Sequence, residues 1–331
     1  MKTSKVKLGL MVAVIAPFLM GCPKPKPPVA PEPDTEFESS IDASFANHVV
    51  TDIDMTCAFL AENDLTPDFY MPAPGTATVD IDRNPGTHQM SIAYNTTKCM
   101  DGTVRDGSIF MYFNVNSVPN QDYYRDYGFK ASFVFQSYKV NGWLIKIPDG
   151  ESFAISNTIQ APGYDPSVTP LTWTIEGSLQ FIHPTDPSRN MTWKGKLTKT
   201  LSNSTDPAVF NPSHQEMIHW SKGVVEYRGN ITGVTAGDVP YTLEINNVHP
   251  LLRDFQCYPD QVSGVTSVQP INTWKEEYHP VKSGIVSFVT DSKYPRQIYY
   301  GNEGNPELPS QCDNSGEVLI KGISYRIDFK R

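Results

Sequence analysis

From residue 76 onward, apolar and polar positions alternate with a period of two. Ile323, Tyr325, Ile327 and Phe329 interleave with Ser324, Arg326, Asp328 and Lys330, the pattern of a strand with one buried face. Leu171, Trp173 and Ile175 repeat it, as do Tyr241, Leu243 and Ile245. Turn-forming dipeptides punctuate the runs: Asp101-Gly102, Asp106-Gly107, Asn141-Gly142 and Asp149-Gly150. Roughly twelve to fourteen strands joined by short turns are expected. They predict a mainly β fold, an antiparallel meander forming a sandwich or incomplete barrel.

One stretch departs from that period. Within 40–60, Ile41, Phe45, Val49, Ile53, Cys57 and Leu60 recur at spacings of four and three. This predicts an N-terminal amphipathic helix packed on the sheet. Ser39 with Asp42 has the spacing of a capping box at its start. The Ser-, Asn- and Pro-rich stretch 203–219 and the similar 262–282 read as surface loops, not interdomain linkers. Residues 39–331 are therefore expected to form a single β-rich domain with its N-terminal helix at 39–62.

The start of the chain follows another logic. Lys2, Lys5 and Lys7 precede an apolar run over 8–20, then Gly21 and Cys22, the layout of a bacterial secretory signal. Leu19-Met20-Gly21-Cys22 resembles a lipobox. That resemblance implies that residues 1–21 are a lipoprotein signal peptide, that Cys22 is acylated, and that the chain is cut before it. The run of 13 residues, broken by Pro17, falls short of the roughly 20 that span a bilayer. Two or three acyl chains on one cysteine give stable anchoring. Residues 23–34 hold six prolines in twelve positions. They favour an extended polyproline II spacer of ~3.1 Å per residue, making 22–38 a Pro-rich tether.

Charge narrows the partners. The formal net charge is -9, and loss of the three signal lysines takes it from -9 to -12. No basic run lies outside the signal, so nothing supplies the phosphate neutralisation that nucleic-acid binding requires. Membrane attachment should come through the acyl chains on Cys22. With Cys22 lipidated, Cys57, Cys99, Cys257 and Cys312 remain, an even number suited to an oxidising compartment. No C-x-x-C occurs, and spacing does not choose among the three pairings.

Candidate chemistry is thin. His214, Glu216 and His219 lie close together but not as H-E-x-x-H. Asp80, Asp82 and Asp101 lack the spacing of a calcium loop. There is no G-x-S-x-G elbow, P-loop or G-x-G-x-x-G. Catalytic residues, metal ligands and cofactors are therefore not expected. Alternation places Trp143 with Ile145 and Ile147, and Trp173 with its neighbours, in the core. Tyr123, Tyr124 and Tyr127 cluster in a loop and are the aromatic candidates for exposure and binding.

Three further stretches carry a resemblance. They are the helix Ser39-Ser40-Ile41-Asp42 with Phe45-Ala46 and Thr51-Asp52, the run from Cys99-Met100-Asp101-Gly102 through Ser108-Ile109 with Tyr138-Lys139-Val140-Asn141-Gly142, and Cys312-Asp313-Asn314-Ser315-Gly316 with Tyr325-Arg326-Ile327. In this order the chain resembles a group of uncharacterised outer-membrane lipoproteins typical of Bacteroidetes. The resemblance implies an all-β, lipid-anchored envelope protein and carries no activity. It also bears on the cysteines: Cys257–Cys312 is the favoured bridge, with Cys57–Cys99 a possible second unless Cys57 is simply a buried apolar residue. Surface-exposed lipoproteins of that phylum show acidic residues after the lipidated cysteine. Residues 23–28 hold none, which favours the periplasmic face of the outer membrane. The expected function is a non-catalytic binding or structural module for an envelope protein or glycan. The alternatives are a periplasmic carrier enclosing a lipid or other apolar ligand, and a glycan-processing enzyme. A carrier needs an unfilled apolar cavity of ~300–1,000 Å³.

Overall fold

The computed structural model describes residues 34–61, 77–82, 88–99, 103–113, 124, 128–158, 170–203, 210–211, 216–217, 223–254, 281–290, 293–301 and 315–329. Within them one long helix, α1 (Glu38–Ala61), precedes seventeen strands. First come β1 (Ala77–Asp82), β2 (Gln89–Lys98), β3 (Val104–Phe113), β4 (Lys130–Val140), β5 (Trp143–Lys146), β6 (Phe153–Asn157), β7 (Thr172–Ile182) and β8 (Met191–Leu201). The short β9 (Phe210–Asn211) and β10 (Glu216–Met217) pair only with each other. Then follow β11 (Val224–Val234), β12 (Pro240–Ile245), β13 (Leu251–Asp254), β14 (Val281–Val289), β15 (Arg296–Tyr300), β16 (Ser315–Ile320) and β17 (Ile323–Asp328).

All but the β9–β10 ribbon join one antiparallel sheet in nearly sequential order from β1 to β17. β6 bridges β4 and β7, and β13 bridges β11 and β14. The mainly β antiparallel meander expected from the alternation is thus what the chain forms. Its inward positions are the expected ones. Leu171, Trp173, Ile175, Tyr241, Leu243 and Ile245 are all buried. Trp143, Ile147 and Tyr325 are half-buried against the core, and Ile323, directly after the Lys321-Gly322 turn, is exposed.

The expected N-terminal helix is present, and it is buried all round. Every residue over 39–58 is buried, so Asp42, Asn47, His48, Asp52 and Asp54 are as enclosed as Ile41, Phe45, Val49 and Ile53. A helix lying across one sheet face would leave its polar side in water. Here α1 is met from several directions. Phe45 packs against Trp143 of β5 and Phe181 of β7, with ring centres 5.8 and 6.4 Å away. Phe37, just before α1, packs against Tyr325 of β17 at 5.9 Å. Arg296 of β15 reaches Ser39 at 3.4 Å. The expected N-terminal helix thus packs on the sheet, and the sheet curls around it. At the helix start the Glu36 carboxylate accepts from the Ser39 amide and hydroxyl, both at 2.9 Å.

The turn dipeptides divide into two kinds. Asn141-Gly142 links β4 to β5 with φ of 48° and 85°, as a type I′ hairpin turn requires. Lys321-Gly322 links β16 to β17 in the same way, at 51° and 81°. Asp106-Gly107 is not a hairpin turn; it lies inside β3, where the register with β4 shifts between Asp106 and Ser108. Gly107 has φ of 77°, and a Cβ there would overlap the backbone carbonyl of Ser137. A second shift separates Tyr94 from Thr97 in the β2–β3 pairing. Two adjacent bulges thus bend the sheet at one end of β3.

Glycine substitution separates these roles. Gly150 also has positive φ (79°) but nothing within 4 Å of an added Cβ. Gly150→Ala should cost about 1–2 kcal/mol from backbone strain alone. Gly107→Ala should cost at least about 2 kcal/mol more, because overlap adds to strain. Urea unfolding compares them, and equal losses would contradict the bulge assignment.

Candidate functional site

Among the described residues two groups of polar side chains stand out, one inside the sheet and one outside it. Residues of an α-helix turn by about 100° each, so Asp52 and Asp54 of α1 point roughly 200° apart. Each meets its own cations. Asp52 accepts from Arg105 of β3 at 2.7 Å, with Arg253 of β13 at 3.6 Å. Asp54 lies 2.8 Å from Lys199 Nζ of β8 and accepts from the Tyr227 hydroxyl of β11 at 3.1 Å. Tyr124 also donates to Asp54. The Lys199 ammonium sits 4.6 and 4.8 Å from the ring centres of Tyr124 and Trp173, a cation–π seat. Before the helix, Arg296 pairs with Glu36 at 3.0 Å and Asp34 at 3.4 Å.

Arg105, Lys199 and Arg253 are sealed from solvent together with both aspartates. The network ties α1 to β3, β8 and β13. Burial pushes the Lys199 pKa down to about 8, with Asp54 opposing. Burial and then Asp54 push Tyr124 well up, and they do the same to the Cys57 thiol. Burial likewise raises Tyr94 and Tyr138, against the pull of Arg105.

The second place is a cleft of about 430 Å³ on the outer face of the sheet. Alternation explains its lining. Arg105, Tyr138, Val140, Ile145 and Phe181 face inward, so Asp106, Lys139, Leu144 and Ile182, one residue along, face outward and line the cleft with Val104. Thr96, Gly142, His183 and Pro184 complete it. The two bulges adjoin it, and Thr96 is held at φ of 36°, a sparsely populated region for a non-glycine residue. Asp106 Oδ1 accepts from the Thr96 hydroxyl at 2.8 Å and its amide at 3.2 Å, while Oδ2 accepts from Lys139 Nζ at 3.0 Å. The Thr96 hydroxyl and then Lys139 lower the Asp106 pKa, so the carboxylate is ionised at neutral pH. His183 Nδ1 accepts the amides of Asp186 and Thr185 at 3.0 and 3.3 Å. Its ring meets Trp143 edge-on, with centres 4.7 Å apart.

The structure treats the sequence candidates unevenly. Tyr124 is corrected from loop exposure to full burial, packed on Trp173 and Phe129 with centres 5.3 Å away from each. Its ring completes the seat of a buried cation, which no local pattern announces. Tyr123 and Tyr127 lie outside the described residues, as do Cys22, Cys257, Cys312, Asp101, His214 and His219. Asp80 and Asp82 lie on β1, and Glu216 lies on β10. Cys57 and Cys99 are buried thiols, not a bridge, which corrects the possible second disulfide; Cys57 packs as a small apolar residue in the core. No group of three or more His, Cys, Asp or Glu side chains is placed to hold a metal among the described residues. No helix among them is long and apolar enough to cross a membrane.

The interior cations were readable in principle. Lys199 occupies an inward position between Leu197 and Leu201, and Arg296 shares the inward register of Ile298 and Tyr300. A cation in the apolar register of a strand signals a buried partner. Comparison with family models, curated proteins and solved structures finds no match.

The low Lys199 pKa has a thermodynamic sign. The unfolded chain keeps this proton up to the ordinary value of 10.5, whereas the folded one releases it above about 8. Between those values the unfolded state binds more protons, so stability rises with pH. Above pH 10 the buried tyrosines act the other way, because only the unfolded chain ionises them. The urea midpoint should climb between pH 8 and 10 and fall beyond. Lys199→Met should flatten the climb; an unchanged slope in that variant would contradict the assignment.

Proposed function

We propose that this chain is an outer-membrane lipoprotein, anchored through acyl chains on Cys22, whose β body is a non-catalytic binding module for an envelope component. The run Leu19-Met20-Gly21-Cys22, behind a basic and apolar leader, supports the anchor. The observation that carries the binding half is the outer cleft, walled by apolar side chains and furnished with Asp106, Lys139 and His183. The absence of acidic residues over 23–28 favours the periplasmic face.

The two alternatives find less support. A carrier would need an apolar space on the concave side of the sheet. That side holds α1, whose Asp52 and Asp54 are ion-paired there. Hydrolysis of a glycosidic bond uses two carboxyl groups, one with a raised pKa. Among the described residues one carboxylate lines the cleft, Asp106, and its pKa is lowered.

Cys22→Ser should move the protein from the membrane fraction to the soluble fraction, and retention in the membrane would overturn the anchor. An oxidising compartment goes with a Cys257–Cys312 bridge. Peptide mapping without reductant should recover that linked pair, and two free thiols would reject it.

A further inference from the structure

We propose that the outer cleft at β3, β4, β5 and β7 is a saccharide site that takes one or two neutral pyranose rings. Lys139 and Asp106 read neighbouring hydroxyls, His183 donates a third contact, and Leu144, Ile182 and Pro184 form the apolar floor. The inference rests on the binding-module reading above and names its ligand class.

The polar side chains are set for hydroxyl groups. Lys139 Nζ carries three N–H groups and gives one to Asp106 at 3.0 Å. Asp106 Oδ2, the acceptor of that bond, has a second acceptor position. An ammonium beside a carboxylate offers donor and acceptor side by side. One hydroxyl of a vicinal pair accepts from Lys139 while its neighbour donates to Asp106. His183 adds a directed donor. Because its Nδ1 accepts two backbone amides, the neutral ring carries its hydrogen on Nε2.

The same groups exclude other ligand chemistries. A phosphate or sulfate would meet the ionised Asp106 and a chain of net charge -9. A simple cation would meet Lys139, and an acyl chain would leave the charged rim unsatisfied. A pyranose ring has what remains: an apolar C–H face for Leu144, Ile182 and Pro184, and a hydroxyl edge for the rim. A volume of about 430 Å³ lies toward the small end of ligand sites, which run ~300–1,000 Å³.

The local backbone supports a built site. Thr96 holds its left-handed conformation while giving both its amide and its hydroxyl to Asp106. Two register shifts flank that contact. Bulges recur beside binding sites because they re-aim a side chain, and here they aim Asp106 at Lys139.

The test is calorimetric titration of the full chain with cellobiose, maltose, chitobiose and lactose, with inorganic phosphate and decanoate as controls. Binding of at least one disaccharide is expected. It should weaken about tenfold or more in Lys139→Met, which removes a charged hydrogen bond, and be abolished in Leu144→Trp, which fills the floor. Both positions face outward, and an unchanged thermal midpoint certifies each variant. Disaccharide binding unaffected by both variants overturns the cleft assignment, and phosphate or decanoate binding that both variants abolish overturns the ligand class. Cross-linking on intact envelopes separates the levels of failure. A specific partner recovered without saccharide binding overturns this inference and leaves the binding module standing; recovery of neither overturns both.

Discussion

Asp52 and Asp54 sit two residues apart on one helix and lean on opposite walls of the sheet. A carboxylate cannot stay ionised in an apolar interior without a partner, so each must find a cation on its own side. Arg105 and Arg253 serve one, and Lys199 with Tyr227 and Tyr124 serves the other. Meeting both demands at once requires strands as distant in sequence as β3, β8 and β13 to converge on α1. The curl of the sheet follows from that requirement. Buried pairs of this kind contribute little net stability over an apolar core of equal volume, but losing one partner is costly. Their effect is to single out one arrangement: a rotated or sheet-surface helix would strand five charges.

The concave side of the sheet is occupied by α1, and the cleft lies on the outer face. The bulge at Asp106-Gly107 serves both faces. It keeps Arg105 pointed at Asp52 while its neighbour Asp106 turns outward to Thr96 and Lys139. The interior clamp and the exterior cleft thus share one strand segment, consecutive residues facing opposite ways. Rigidity in the first holds the second in place without a dedicated support.

Much of this body was legible from residue order. Period-two alternation located the inward Trp173, Ile175, Leu243 and Ile245, and the 3.6 period located α1. Enclosure of α1 was not legible, because apolar periodicity reports only the stripe that is apolar. The polar stripe reads the same whether it faces water or buried cations. Lys199 between Leu197 and Leu201 held the missing information, and it gains meaning only once Asp54 is set opposite. The cleft was hidden for a related reason. Thr96, Asp106, Lys139 and His183 come from separate strands and loops, and Asp106-Gly107 reads equally as a hairpin turn or a bulge. Tyr124 illustrates the limit of loop reasoning: a tyrosine-rich loop suggested exposure, while the ring seals a buried ammonium.

A double-mutant cycle on Asp54 and Lys199, followed by urea unfolding, tests the clamp most directly. Asp54→Leu and Lys199→Met should each cost about 3–5 kcal/mol by leaving the other charge unpaired. The double variant should cost at least about 2 kcal/mol less than the sum of the two. Strictly additive losses, or single losses within about 0.5 kcal/mol of zero, would contradict a helix held in place by its buried carboxylates.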